Sequence, residues 1–312
     1  VSFKPQAYIL AGPTAAGKSD VAQRIAEEKS YDILSADAMM VYRGMDIGTA
    51  KPCRELRERV RYWGLDLAAP AEAFSAGQYR AYAIEAIGKS FADGREIIMV
   101  GGTGLYIKSL THGLGKLPAP DPAARAAAEA LLNEKGLGAL QELVRARTPE
   151  LYEALPDKNN PRRLVRLLEA SDKGAAGGTW KALGKGPKIT GLSMPKAILD
   201  ERIVQRVRKM YANGLLEEAE RLLEEGIEKS PTAMQAIGYA EAFAVLRKKI
   251  TVEEAVELTS RRTRQYAKRQ MTWFRNQADV DWIMIEPGMT IGQTAEKVRD
   301  SWRQYGPTPI VS

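Results

Sequence analysis

The segment Gly12-Pro13-Thr14-Ala15-Ala16-Gly17-Lys18-Ser19 is where residue type and spacing speak most directly of chemistry. It fits G-x-x-x-x-G-K-[ST], the pattern of a phosphate-binding loop. Glycines let the backbone curl so that its N–H groups converge on an anion, and a following helix adds the positive end of its dipole. Lys18 sets a positive charge against phosphate oxygens, and Ser19 offers a hydroxyl to a magnesium ion. The competing reading is a plain glycine turn with an exposed lysine. A strand-like apolar run before the motif and a helical run after it argue against that.

A phosphate loop does not say which phosphate. A nucleotide hydrolase also needs a strand-end carboxylate for magnesium and a group that positions water. The apolar run at 96–100 ends in Gly101-Gly102-Thr103-Gly104, without an acid, whereas the run at 31–36 ends in Asp37. Asp37 can serve magnesium, act as a base, or simply close a turn. The Gly101–Gly104 turn lacks the G-x-G-x-x-G spacing of a dinucleotide site. Its backbone and the Thr103 hydroxyl either reach the same anion or only form a tight strand-to-helix turn.

The densest basic stretch is Arg261–Arg275, with six basic residues and no acid. On a helix, Arg261, Arg264, Lys268 and Arg275 share one side, and Ala267, Met271, Phe274 and Ala278 form an apolar stripe that faces the core. Solvated charge is the usual explanation of such a run. The missing acids and the interleaved Tyr266 and Trp273 favour nucleic-acid phosphates instead. Arg162, Arg163 and Arg166 repeat the theme at a helix start after Asn159-Asn160-Pro161.

These groups need elements to hold them. Strand-like runs at 8–11, 31–36 and 96–100 alternate with helical runs at 19–29 and 79–91, with a long turn-rich connection over 37–74. The alternation predicts parallel strands with helical crossovers. The fold class is α/β: a phosphate-loop parallel sheet core with helices on both faces and an inserted all-helical subdomain. The insertion is set at 118–195, between a first core part at 1–117 and a second, mostly helical part at 196–312. It opens on a proline-rich boundary at 118–122 and continues as an alanine-, leucine- and arginine-rich stretch broken at Gly136, Pro149 and Pro156. It ends in a flexible basic loop over 173–191, with Trp180, Leu183 and Ile189 as its bulky apolar anchors. Helices are predicted over 200–225, 232–246, 252–277 and 290–304, and a strand over 281–286.

Composition narrows the chemistry. A chain of 312 residues holds one large domain or two, and 45% apolar residues suffice for a core. No run approaches the roughly 18 apolar residues of a membrane span. Residues 1–6 lack the basic-then-apolar order of a secretory signal, so a cytoplasmic protein is expected. The one cysteine, Cys53, excludes an internal disulfide framework, and the one histidine, His112, excludes a multi-histidine metal site and disfavours Ser-His catalysis. His112 reads as a loop residue without a catalytic task. A net charge of +7, from 46 basic and 39 acidic residues, suits a polyanionic ligand.

Taken together, the sequence resembles the tRNA dimethylallyltransferases, also called tRNA isopentenyltransferases. The resemblance rests on Gly12–Ser19, Ser35–Pro52, Val100–Ile107, Pro161–Arg166, Ala236-Ile237-Gly238-Tyr239 and Thr263–Arg275, which span nearly the whole chain in family order. It implies a phosphate-loop fold turned to prenyl transfer. Dimethylallyl diphosphate would be the donor, and the exocyclic amine of the adenosine just 3′ of a tRNA anticodon the acceptor, flipped into a channel. Gly12, Thr14, Ala15, Ala16, Gly17, Lys18, Ser19, Thr103 and Arg206 would hold the diphosphate, with magnesium on Ser19. Lys18 and Thr103 would stabilise the leaving group, and Asp37 would take the amine's proton or orient the amine. Asp37, Ala38, Met39, Met40, Arg125, Arg162, Arg163, Arg166, Arg264 and Lys268 would lie toward the tRNA anticodon stem-loop, Arg163 and Arg166 alternatively on the diphosphate. The protein is expected to act as a monomer, away from membranes.

Some positions depart from the family. Ala38 stands where serine usually follows the aspartate, Met40 where many members have glutamine, Asn160 where an aspartate is usual, and Tyr62-Trp63 where a histidine pair is common. Two other classes stay open on this ground: a prenyltransferase acting on free adenine nucleotides, and a catalytically weakened RNA-binding relative. A true phosphate-loop kinase or NTPase is disfavoured by the lack of a strand-end carboxylate other than Asp37.

Overall fold

Along a strand, neighbouring side chains point to opposite faces. Ile9 and Leu10, Ile33 and Leu34, and Ile98 and Met99 are such neighbours, and each pair divides between two separate buried clusters. A strand apolar on both faces belongs inside a sheet covered on both sides. The computed structural model describes residues 4–114, 121–155, 157–171 and 184–311.

The first part runs β1 (Gln6–Ala11), α1 (Lys18–Lys29), β2 (Asp32–Ser35), α2 (Arg54–Arg59), β3 (Tyr62–Trp63), α3 (Ala76–Ala92), β4 (Ile97–Gly101) and α4 (Gly104–His112). Then come the helices α5 (Pro122–Arg147), α6 (Pro149–Glu153) and α7 (Pro161–Ser171). The chain returns with β5 (Lys188–Ser193), α8 (Lys196–Ala212), α9 (Leu215–Glu224), α10 (Tyr239–Leu246), α11 (Val252–Gln277), β6 (Asp279–Met284), α12 (Ile291–Tyr305) and β7 (Thr308–Pro309). The sheet order is β3-β2-β4-β1-β5-β6, all parallel, with β7 antiparallel on β1. Parallel strands end at one edge, so the turns after β1, β2, β4 and β5 open on the same side. Central β1, with β4 on one flank and β5 on the other, is where ligands bind in open α/β sheets.

The chain divides into a unit of 1–113 with 185–312 and a unit of 114–184. The second has its own small core of Ala128, Leu140, Val144, Leu164, Val165 and Leu168. Asp121 caps α5 by accepting the N–H groups of Ala123 and Ala124, and the helical run breaks at Gly136, where φ is 79°.

Some expectations shift. Residues 188–193, assigned above to the insertion and its loop, form β5, because Lys188–Ser193 pairs along its length with β6 and bonds to β1 as well. The single helix expected at 200–225 is two, separated at Asn213-Gly214, where Gly214 turns left-handed at φ 99°. The helix expected at 232–246 is only a 3-10 turn until Gly238, which opens α10 at φ 105°. His112 closes α4 rather than lying in a loop. Lys173, Trp180, Lys181 and Leu183, together with Pro118 and Pro156, lie outside the described residues.

Candidate active site

The phosphate loop leaves β1 through Gly12, whose φ of 139° is open to glycine, and whose Cβ, if present, would sit 2.5 Å from the Leu192 carbonyl oxygen on β5. Ala15 takes φ 64°, and Gly17 at φ 81° opens α1. Ala16 is fully buried and anchors the loop in the core. Lys18 is only 8% exposed, and its ammonium donates to the Pro13 carbonyl at 2.6 Å. Burial, joined by the Arg206 charge, drives the Lys18 pKa down to about 7, with Asp37 acting the other way. Ser19, the next residue, is exposed.

Asp37 follows β2. One carboxylate oxygen accepts the Met39 N–H at 2.9 Å, closing a short turn. Thr103, which opens α4, accepts the Ala38 N–H on its hydroxyl at 3.0 Å and donates its own N–H to Ala36 at 3.1 Å. The Gly101–Gly104 turn is thereby fastened to the stretch that carries Asp37. Arg206, on α8, reaches in from another side: one guanidinium nitrogen donates to the Thr14 hydroxyl at 3.5 Å, the other to the Thr49 carbonyl at 3.1 Å. Burial holds the Arg206 pKa below its usual value, against the pull of Asp37 and Asp20.

A cavity of about 810 Å³ joins these groups; Thr14, Lys18, Ser19, Asp37, Met40 and Arg206 all line it. Ala15 and Gly17 line it too, whereas Gly12, Ala16 and the half-buried Thr103 do not. Cations converge at the loop and a carboxylate with a single described hydrogen bond faces the same space. Such an arrangement can hold an anion and accept a proton beside it. Among the described residues no group of three His, Cys, Asp or Glu side chains could hold a metal unaided.

Two residues of α11 join the site without having been singled out for it. Gln270 accepts the Thr14 N–H on its amide oxygen at 2.8 Å and donates to the Gly102 carbonyl at 3.0 Å, so one side chain ties both glycine turns together. Gly102 has no room for a side chain beside that amide. The phenol of Tyr266 rises to about 12, first through burial and then through the Asp37 charge, with Thr103 and Gln270 as hydrogen-bonding neighbours that lower it. In its basic half, the buried residues of α11 are Ala267, Gln270 and Phe274, while Met271 is only half-buried. The stripe drawn from apolar residues alone therefore passed over Gln270, although its spacing from Ala267 and Phe274 is the helical i, i+3, i+7.

The remaining candidates lie elsewhere. Ala38 and Met39 are half-buried and pack against the core. On α11, Arg264 is half-buried and Lys268 exposed; Lys268 borders a separate groove of about 360 Å³ with Arg269 and Trp273. In the helical unit, Arg125 and Arg166 both pair with the fully buried Glu169, at 2.9 and 2.7 Å. Arg162 and Arg163 are exposed.

Comparison with known proteins gives one answer. A family model described as IPP transferase matches residues 40–277. A tRNA dimethylallyltransferase of Thermus thermophilus is 44% identical over 275 residues, 86% of this chain and 89% of its own. One from Bacillus licheniformis is 37% identical over 304 residues, 95% and 96% of the two chains. Among solved structures, a full-length tRNA isopentenylpyrophosphate transferase of Bacillus halodurans superposes with a TM-score of 0.67 at 34% identity, covering 97% of this chain and 98% of that one.

Proposed function

This chain belongs to the IPP transferase family, the tRNA dimethylallyltransferases, and on that premise we propose that it moves a dimethylallyl group from dimethylallyl diphosphate onto tRNA. The acceptor is the exocyclic amine of the adenosine 3′ of the anticodon. The observation that carries the reading is the shared cavity, lined by the phosphate loop, Arg206 and the lightly bonded Asp37.

The amine nitrogen attacks the first allyl carbon while the bond from that carbon to the diphosphate oxygen breaks. The electron pair leaves with the diphosphate, and the amine proton passes to Asp37. Lys18, Arg206, the Thr14 hydroxyl and the loop N–H groups stabilise the charge that builds on the leaving group, where fixed dipoles and charges count most. Thr103, bonded to the Ala38 N–H, steadies the backbone beside Asp37. A cavity lined by a serine hydroxyl and a carboxylate offers hard oxygen donors that suit magnesium, with ligand oxygens and water completing its shell. Ser19 would hold the ion, which when bound offsets negative charge on the diphosphate. Met40 and Ala38 would border the base. Arg264 and Lys268 would meet the RNA backbone, and Arg125, Arg162, Arg163 and Arg166 would add positive charge along the anticodon stem-loop.

No described helix is long and apolar enough to cross a membrane, and we take the enzyme to act in the cytoplasm as a monomer, a state that sedimentation equilibrium checks. The test of function offers labelled dimethylallyl diphosphate and magnesium with unmodified tRNA, AMP and ATP in parallel. Label in tRNA is expected; label only in AMP or ATP, or in no acceptor, would sink the reading. Replacing Arg264 and Lys268 together should weaken tRNA binding and flatten its dependence on salt, since fewer counterions are released.

A further inference from the structure

Glu218 is a buried carboxylate with no part in the chemistry above. It stands in the first turn of α9, 3% exposed. Its two oxygens accept the backbone N–H groups of Asp46 at 3.0 Å, Ile47 at 2.8 Å and Gly48 at 3.0 Å, together with the Tyr239 hydroxyl at 2.6 Å. Bonds to an ionised acceptor are shorter and stronger than neutral ones, so consecutive N–H groups on one carboxylate fix a stretch of chain firmly. Gly48 leaves no choice of residue: a Cβ there would lie 2.5–2.7 Å from the Tyr239 ring and hydroxyl.

The clamped stretch ends at Thr49. Its hydroxyl donates back to the Met45 carbonyl at 2.6 Å, and its own carbonyl receives Arg206. Arg206 is long and carries large rotamer freedom; among the described residues the Thr49 carbonyl and the Thr14 hydroxyl orient it. Residues 46–48 and Tyr239, each within a block that marks the family resemblance, thus meet on one carboxylate. Neither Glu218 nor Tyr239 lines the cavity.

We infer that Glu218 is a positioning residue for the diphosphate site: it holds the 46–49 backbone so that the Thr49 carbonyl aims Arg206 at the departing diphosphate, with Tyr239 fixing Glu218 in turn. The inference rests on the proposed prenyl transfer, because it assigns Arg206 to the diphosphate.

A double-mutant cycle on the full chain tests it, with dimethylallyl diphosphate binding read by calorimetry and tRNA binding as the control. Glu218→Gln keeps the shape and removes the charge; it should weaken allyl diphosphate binding about tenfold, within the usual coupling between residues of one hydrogen-bond network, and leave tRNA affinity unchanged. Combined with Arg206→Ala, it should add almost nothing, because residues acting through one another are not additive. Should Glu218→Gln fail to fold, Tyr239→Phe enters the same cycle with an expected loss of about threefold. A full additive loss in the double variant would overturn the inference, as would unchanged allyl diphosphate affinity in folded single variants. No binding by the parent protein would overturn the functional reading and this inference with it.

Discussion

The two ends of β2 carry two aspartates in opposite conditions. Asp32, at the start of the strand, is fully buried and crowded with partners: Arg61 and Arg95 at 2.5 Å, the Ser90 hydroxyl at 2.7 Å and the Trp63 indole N–H at 3.0 Å. Burial alone would raise its carboxyl, but Arg61, Trp63, Ser90 and Arg95 more than offset this and hold it below the usual carboxylate range. Asp37, just past the other end, is half-buried and bonded only to the Met39 N–H among the described residues. A saturated carboxylate has no capacity left for a substrate proton and serves to bind β2, β3, α3 and β4 together. An under-bonded one beside a cavity keeps that capacity. The lysines repeat the contrast: Lys51 is paired with Asp46 and Asp66 and donates to the Tyr42 carbonyl, whereas among the described residues Lys18 donates to a single carbonyl.

The contrast can be broken most severely at Asp37. Asp37→Asn keeps the size and the turn but cannot take the proton, so single-turnover transfer on preformed protein–tRNA complex should fall about 10²–10⁴-fold, with the melting temperature unchanged. A normal rate would remove the distinction between the two ends. At the other end, Asp32→Ala should cost stability and leave the rate per folded molecule intact. The loss in denaturant unfolding should be about 3 kcal/mol, the low end for breaking a buried pair, because Arg61 and Arg95 are 37% and 32% exposed and can turn to water.

Lys18 sharpens the contrast through pH. With its pKa near 7 in the free protein and raised again by a bound diphosphate, the ammonium is already charged below about pH 7. Above that it must regain a proton to bind. Diphosphate affinity should therefore fall as pH rises past 7, by at most roughly tenfold per unit, and calorimetry in two buffers at pH 8.5 should register proton uptake. The folded, ligand-free protein also binds fewer protons than the unfolded chain between about 7 and 10.5, so its own stability should rise across that window. The smallest effect is expected at Ser90, whose hydroxyl is one of several donors to Asp32. Ser90→Ala should lower stability by about 1 kcal/mol with no change in transfer, and a larger loss would mean that the Asp32 cluster is less redundant than its bonds imply.

What could be read from the sequence follows from how local each signal is. The phosphate loop, Asp37 and the Gly101–Gly104 turn are each written within a few residues and flanked by apolar runs that mark their strands. Gln270 and Glu218 could not be read in this way. One looks like a polar residue in a basic helix and the other like one of several glutamates on α9, and their tasks appear only when Thr14 and residues 46–48 come against them. The strand β5 was hidden for a related reason: glycine and lysine around residues 184–191 read as a loop, and only pairing with β1 and β6 makes Lys188–Ser193 a strand. The two-residue strands β3 and β7 are too short to show a period at all.

Gln270 lies 256 residues beyond the Thr14 N–H that it holds. During synthesis the phosphate loop leaves the ribosome well before α11, and domains consolidate from the N-terminal side, yet this loop stays without its amide latch until α11 has been made. The Leu192 backbone that walls Gly12 likewise arrives only after the helical unit. A chain interrupted anywhere between the loop and α11 would carry a complete phosphate-loop motif on an unfinished cradle, so competence to hold an anion there comes only with α11.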